Sequence, residues 1–537
     1  MPDFPPNPFS HPTPAAVLGG TPPTPPAATD RLPDPGSPGR RSVALLLVAV
    51  LTIAVAVVQR LDHAPAAPSD PKSAAIIHGS DEVDLMGRLF VKLGLFFKSA
   101  SPGAPVDMYA EFVDEQAKLG TPTDRVWAAI AAGELSDADA AKSRLEKVTA
   151  ELDAPPDPAP TPATDPASNP AAAPADPSAA APTDEAKDAL RKDIQSLNLI
   201  YEGRAAELSQ EQRDALAKNH GFFGKIALTH GLKDEDPARA PLLAGGGRLL
   251  AIMGAFVLVL VVGTLAGITF FIIAIVKLMN RSVRATFRAP ARGGSAYLEA
   301  FALFLLAFLV LALGTELLEQ SLRSRGANTD WIGPASLLAH WLLALVPLYV
   351  LTRGRSFAGL RQDLGWHTGR GVFREVGAGI AGYLAGLPLF FVSVLIAMVL
   401  LVVQQAIVTQ MTGHKPAPPS NPLFERIGQS SGLEMAILFF MATVWAPIVE
   451  ESLFRGVLFR HLRGTVGVVL AALGSAFVFG IIHPVPVLLT IPLMTLGFNF
   501  ALMREWRGSL LAPMTAHCLH NATVLTLLIS VMSVVKD

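Results

Sequence analysis

Two adjacent glutamates interrupt a hydrophobic stretch near the C-terminal end of the chain. Glu450 and Glu451 follow the apolar run 435–449, and Arg455 comes four residues after Glu451. An ionisable side chain inside a bilayer costs several kcal/mol by most estimates, so such residues are rare and usually functional. On a helix, Glu451 and Arg455 lie on one face as an ion pair, whereas Glu450 is rotated by about 100°. Glu450 is therefore free to face a cavity and to serve as a general base.

Two further pairs of side chains have the same helical spacing. Phe479 and His483 are four residues apart, and so are His517 and Asn521. A histidine and an amide that point into one cavity could donate hydrogen bonds to a developing oxyanion. Taken singly, each pair could be structural, because such groups also join membrane helices by hydrogen bonds. The three clusters together, in the last third of the chain, favour catalysis.

The sequence is also compatible with a metal-dependent reaction. Glu450, His483 and His517 could supply three ligands and leave a fourth position for water, which is the pattern of catalytic zinc. The compact His-Glu-x-x-His signature is absent from the sequence. We favour a metal-free reaction, predict no cofactor firmly, and keep a divalent metal such as zinc as the alternative. Cys518 adjoins His517, but consecutive helical residues point apart, so a Cys-His pair is a poor candidate.

The elements that would position these residues are membrane helices. Of the 537 residues, 51% are hydrophobic and only 16% are charged, whereas about 25% are charged in a typical soluble protein. Eight apolar runs follow Gly247, at 249–276, 300–315, 331–352, 376–404, 435–459, 464–483, 484–503 and 510–535. The sequence therefore predicts an all-α, polytopic membrane protein with an eight-helix membrane domain at 248–537.

The N-terminal half has a different composition. Residues 1–41 are Pro-rich and are expected to be disordered, and the uncharged run 42–59 is long enough for a transmembrane anchor. Residues 61–247 contain 30 Asp and Glu against 18 Lys and Arg, so the region 60–247 is acidic. Within it, the Ala- and Pro-rich segment 154–183 is typical of a stiff linker. We expect a small helical region that could bind a partner protein, and nothing indicates nucleic-acid binding.

The basic residues orient the predicted helices. Arg40 and Arg41 precede the anchor, and further basic clusters fall in the loops at 277–292, 353–374, 460–463 and 504–507. Counting crossings places all of them on one side, which the positive-inside rule makes cytoplasmic. The sequence predicts a multi-pass protein of the cell membrane with the region 60–247 on the extracytoplasmic side.

The predicted depth of His483 in the membrane differs from that of Glu450. His483 lies twenty residues beyond Arg463, about 30 Å along a helix. Glu450 lies ten residues before Arg460, or about 15 Å. The two side chains can meet only if the helix that carries His483 begins late. We therefore expect residues 464–469 to lie along the cytoplasmic interface.

These motifs resemble those of the CPBP family of intramembrane proteases, which includes the type II CAAX prenyl endopeptidases and the bacteriocin self-immunity proteins. The family motifs are Glu-Glu-x-x-x-Arg, Phe-x-x-x-His and His-x-x-x-Asn on membrane helices, and this sequence matches all three in order. The resemblance covers roughly 249 to the C-terminus, most specifically 445–521. Nothing N-terminal to Gly247 belongs to it.

The resemblance implies hydrolysis of a peptide bond, in a peptide or membrane-protein substrate, within or beside the lipid bilayer. Glu450 and His483 would orient and deprotonate the attacking water, without a serine or cysteine nucleophile. His517 and Asn521 would stabilise the tetrahedral oxyanion. The supporting residues would be Glu451, Arg455 and Phe479.

Two other functions stay as alternatives. A proton-coupled membrane transporter would use the buried ionisable groups as a relay, and inverted repeats usually accompany that class. No second copy of the Glu-Glu or His-x-x-x-Asn cluster occurs in the first four apolar runs after Gly247. A catalytically silent membrane scaffold would not need to keep Glu450, His483 and His517 together.

Overall fold

The computed structural model describes residues 33–61, 79–101, 103–118, 120–154, 183–329, 331–412 and 432–536. In these ranges every regular element is a helix, apart from an isolated bridge between Pro33 and Ala291. The all-α, polytopic fold class is confirmed. Residues 1–32 of the expected disordered terminus and 155–182 of the expected linker lie outside the described residues.

The first helix, α1, spans Pro38–Leu61 and begins four residues before the predicted anchor. The region between the anchor and the membrane domain folds into short helices, as expected. Ser209 and Gln212 form a capping box at the start of α7. These helices are α2 Asp81–Ala100, α3 Asp107–Ala117, α4 Pro122–Leu135, α5 Ala138–Asp153, α6 Asp184–Tyr201, α7 Gln210–Asn219, α8 Gly221–Leu228 and α9 Ala240–Leu243.

Nine further helices follow in the part of the chain that the structure describes. They are α10 Gly246–Met279, α11 Ala296–Arg323, α12 Ile332–Ala339 with its 3-10 continuation His340–Arg353, α13 Phe357–Leu364, α14 Val372–Thr412, α15 Gly432–Arg463, α16 Val468–Ile481, α17 Thr490–Arg507 and α18 Leu511–Lys536. Among the described residues, eight helices are long and apolar enough to cross a bilayer: α1, α10, α11, α12 with its continuation, α14, α15, α17 and α18.

The predicted span 464–483 is shorter than expected. Its helix, α16, has 14 residues, or about 21 Å, whereas the hydrocarbon core is about 30 Å thick. A turn after Arg463 delays its start to Val468, and Pro484 and Pro486 follow its end. The late start agrees with the expectation from the depth of His483. The position of 464–469 at the interface stays a prediction.

Candidate active site

Helix α15, which carries both glutamates, is not a regular α-helix. Two π-helical segments, Met441–Trp445 and Ser452–Leu458, flank the α-helical stretch Ala446–Glu451. Pro447 lies within that stretch, and a proline cannot donate the backbone hydrogen bond that a helix interior requires. Single π turns inside α-helices occur frequently at functional sites. The glutamates therefore sit where the helix departs from its usual register.

The predicted ion pair is present and fully buried. Arg455 Nη1 donates to Glu451 Oε1 at 2.9 Å, and the side chains of both residues are 0% exposed. Arg455 Nη2 donates to the carbonyl of Gly497 in α17 at 3.0 Å. The guanidinium also lies over the ring of Phe479, 4.6 Å from its centroid, which favours a buried cation. Arg455 therefore joins α15 to α16 and α17.

His517 completes this cluster from α18. Its Nδ1 lies 2.9 Å from the same Glu451 Oε1 that accepts from Arg455. The imidazole stacks on the ring of Phe500, with centroids 5.3 Å apart. An ionised carboxylate can only accept, so Nδ1 carries the proton in this contact. Glu451 thereby fixes the orientation of the imidazole, and the Nε2 atom faces the other glutamate.

Glu450 has no such partners. Its Oε2 lies 3.9 Å from His517 Nε2, which is too long for a direct hydrogen bond. This oxygen is buried and has no hydrogen-bond partner among the described residues. The side chain is 18% exposed, in contrast to Glu451 at 0%. Glu451 Oε2 is likewise buried without a partner in the described part of the chain. The neighbouring glutamates differ in that Glu451 is fully enclosed and bonded through Oε1 to Arg455 and His517, whereas Glu450 is partly exposed and makes neither bond.

His483 joins the cluster through Phe479. The two rings lie 4.7 Å apart, and the ring of Phe479 is in turn 6.1 Å from that of His517. His483 Nδ1 is 2.6 Å from the carbonyl oxygen of Phe479. A carbonyl only accepts, so Nδ1 donates and Nε2 of a neutral imidazole is left as an acceptor.

Asn521 lies four residues beyond His517 on α18 and donates from Nδ2 to the carbonyl of Ala442 at 2.7 Å. The backbone explains this bond. The N–H of Ala446 bonds Met441 O in the π register, and the next donor in that register would come from residue 447, which is a proline. Asn521 therefore donates a hydrogen bond to a carbonyl oxygen that has no backbone donor because residue 447 is a proline. One hydrogen of its NH2 group is still available.

The described structure thus joins Glu451, Arg455, Phe479 and His517 by direct contacts, with Glu450 and His483 at the edge of this group. Sequence reasoning missed the bond between His517 and Glu451, the π segments and the Gly497 carbonyl. Pro447 is the one signal for the π turn that the sequence offers. His520, which lies beside the cluster in sequence, contacts Tyr383 of α14, with 3.3 Å between Nδ1 and the hydroxyl.

A catalytic metal ion needs three or more ligand side chains close together. Among the residues that the structure describes, no group of three His, Cys, Asp or Glu side chains could hold one. Glu450, His483 and His517, which the sequence offers as ligands, do not form such a group. Nδ1 of His517 bonds Glu451 and Nδ1 of His483 bonds the carbonyl of Phe479, which leaves the Nε2 atom of each histidine uncommitted.

The comparison with protein families identifies the class. Residues 432–523 match the family model of the type II CAAX prenyl endopeptidases, Rce1-like. This range extends from the start of α15 into α18 and contains all seven residues of the predicted site. The chain therefore carries a domain of the CAAX protease family, a family of membrane proteases. No curated protein and no solved structure matches the chain.

Proposed function

We propose that this protein is an intramembrane endopeptidase in which Glu450 activates a water molecule. The observation that carries the proposal is the position of Glu450: its buried, unpaired Oε2 lies 3.9 Å from His517 Nε2, its side chain is 18% exposed, and it lacks the bonds to Arg455 and His517 Nδ1 that hold Glu451. A buried polar atom without a partner is costly. A catalytic base requires such an atom, because its lone pair must be free to accept a proton from the substrate water.

The charges of the cluster support a role for His517. Glu450 and Glu451 contribute two negative charges and Arg455 one positive charge, which leaves a net charge of minus one if His517 is neutral. Uncompensated charge is expensive in a low-dielectric interior. A second proton on His517, at Nε2, would balance the cluster and supply a charged donor beside Glu450.

The reaction follows from these protonation states. The attacking water donates one hydrogen bond to Glu450 and one to His483 Nε2. As the water oxygen bonds the peptide carbonyl carbon, its proton passes to Glu450. The new oxyanion accepts from His517 Nε2–H and from the remaining N–H of Asn521. Glu450 then gives its proton to the amide nitrogen, the carbon–nitrogen bond breaks, and the products are a carboxylic acid and an amine. The acid then passes its remaining proton to the amine, which leaves a carboxylate and an ammonium group.

The substrate and the orientation belong to the same proposal. The family match supports a peptide bond in a CAAX-type substrate as the target. We also propose that the chain is a multi-pass protein of the cell membrane. In this arrangement the basic loops are cytoplasmic, residues 1–41 precede the anchor 42–59, and the acidic region 60–247 is extracytoplasmic. Residues 248–537 form the protease domain.

A comparison of membrane peptides tests the function even while the substrate is unidentified. New peptide termini are identified by mass spectrometry in membranes of cells that produce the wild type, Glu450→Gln or Glu316→Gln. Glu316 is an exposed glutamate of α11 and serves as the matched control. We expect termini that appear with the wild type and with Glu316→Gln and are absent with Glu450→Gln. The same termini in all three samples would contradict the proposal.

A further inference from the structure

Helix α16, which ends two residues before His483, has carbonyl groups at its C-terminal end that its own backbone does not satisfy. The last carbonyls of a helix need donors from beyond its end. Residues 484 and 486 are prolines and have no N–H, and the N–H of Val485 bonds the carbonyl of His483. Gly480 O accepts from His483 N, and Phe479 O accepts from His483 Nδ1. The carbonyl oxygen of Ile481 therefore needs a hydrogen-bond donor from another part of the chain.

Arg60, at the end of α1, supplies that donor. Its Nη1 donates to Ile481 O at 2.8 Å and to Ala56 O of its own helix at 2.7 Å. Nη1 has two hydrogens, so it can make both bonds. A charged donor makes a stronger bond than a neutral one, and a cation near a helix C-terminus also interacts favourably with the helix dipole. The guanidinium therefore links the end of α1 to the turn that holds His483.

The opposite end of α1 is tied to the helix that carries the glutamates. Before α1 begins, the buried carboxylate of Asp34 accepts from Arg460 Nη2 at 2.7 Å. Arg460 belongs to α15 and lies nine residues after Glu451. The carbonyl of Pro35 accepts from Ser295 N and Ala296 N, at the start of α11. This end of the helix is therefore attached to α11 and α15 together.

Between its two ends α1 shares the core of the site. Val48 and Val55 of α1 belong to the same buried cluster as Val449, Phe479 and Ile482. Val449 directly precedes Glu450, and Ile482 directly precedes His483. A simple membrane anchor would have no reason for buried contacts of this kind.

We infer that α1 is a structural part of the active site and that Arg60 is a positioning residue for His483. The inference rests on the proposed function. Arg60 touches neither substrate nor reacting atoms. It holds the 481–483 turn, and with it the imidazole whose Nδ1 bonds Phe479. The site therefore depends on a helix that lies outside the matched residues 432–523.

Hydrogen exchange and kinetics of the full-length protein test this inference. Arg60→Met keeps the length of the side chain and removes its donors, and Arg60→Lys restores one donor. Arg40→Met makes the same chemical change at the exposed, opposite end of α1 and is the control. Exchange is followed by mass spectrometry over 478–485 in detergent. Cleavage is followed with a farnesylated peptide that ends in Cys-aliphatic-aliphatic-X.

We expect Arg60→Met to raise exchange in 478–485 by about tenfold. Because a small misplacement of a catalytic group is costly, kcat should fall about 10²-fold while KM stays within about twofold. Arg60→Lys should recover most of both values, and Arg40→Met should match the wild type.

Exchange and kcat of Arg60→Met equal to those of Arg40→Met would overturn the inference. So would an Arg60→Lys variant as impaired as Arg60→Met, because the effect would then not come from the donated hydrogen bond. Equal cleavage by the wild type and by Glu450→Gln would instead overturn the proposed function, whatever the exchange result.

Discussion

At the scale of single residues, the two neighbouring glutamates have different surroundings, and we propose different roles for them. Glu451 accepts from both Arg455 and His517 and is fully enclosed. The buried Oε2 of Glu450 has no hydrogen-bond partner among the described residues. We therefore propose that the fold of the site depends on Glu451 and that Glu450 performs the chemistry.

Glu451→Gln should destabilise the protein. The change leaves the Arg455 guanidinium buried without its counter-ion, and loss of one partner of a buried pair typically costs about 3–5 kcal/mol. We expect the unfolding midpoint in an SDS titration of mixed micelles to fall clearly. Glu450→Gln, one residue away, is the control and should unfold near the wild-type midpoint. Unfolding of both variants at the same SDS concentration would contradict this role of Glu451.

At the scale of elements, α15 and α18 are joined by a hydrogen bond at the π-helical segment Met441–Trp445 of α15. Pro447 leaves the carbonyl of Ala442 without a backbone donor in the π register, and Asn521 donates to it. The sequence predicts that Asn521 shares a helix face with His517. It does not predict the Ala442 contact, since helical spacing is calculated for an unbroken α-helix.

A double-mutant cycle tests this explanation. Asn521→Ala should lower the free energy of unfolding by about 1–3 kcal/mol, because it leaves a buried carbonyl unsatisfied. Pro447→Ala restores a backbone N–H that can serve Ala442. The cost of Asn521→Ala should therefore be smaller in the Pro447→Ala protein, with a coupling of about 0.5–3 kcal/mol. Strictly additive effects in SDS titrations would show that Pro447 is not the cause of the contact.

At the scale of the whole molecule, the basic loops that predict the orientation form an ionic layer. Its salt bridges are Arg355–Asp363, Arg460–Asp34, Arg460–Asp363, Arg463–Glu505 and Arg507–Glu375. The acidic helical region instead contacts the other end of α18, where Lys92 donates to the carbonyl of Val534 at 2.9 Å. The two ends of the membrane helices therefore differ in chemistry, as the charge pattern predicts.

Cysteine labelling in intact cells tests the proposed orientation. In a Cys518→Ser background, Met108→Cys places a thiol on an exposed position of α3, and Ser282→Cys places one in the first basic loop. A membrane-impermeant maleimide should label residue 108 in intact cells and residue 282 only after lysis. The opposite pattern would mean that the acidic region faces the cytoplasm.

The sequence predicted the helical class, the membrane runs and the ion pair of Glu451 with Arg455, because each depends on local spacing and hydrophobicity. The sequence did not predict contacts between segments that are distant along the chain. The Glu451–His517 bond joins α15 to α18, and the bond between Arg60 and Ile481 joins the anchor to α16. Both depend on how helices pack, which no periodicity in a single segment encodes.

The most direct test of the account is the single-turnover cleavage rate of purified Glu450→Gln. The substrate is the peptide whose termini are lost from membranes that contain this variant. Because a positioned general base contributes about 10²–10⁴-fold, we predict a rate lower by at least about 10²-fold at an unchanged unfolding midpoint. A rate within about threefold of the wild type would contradict the assignment of Glu450 as the catalytic base.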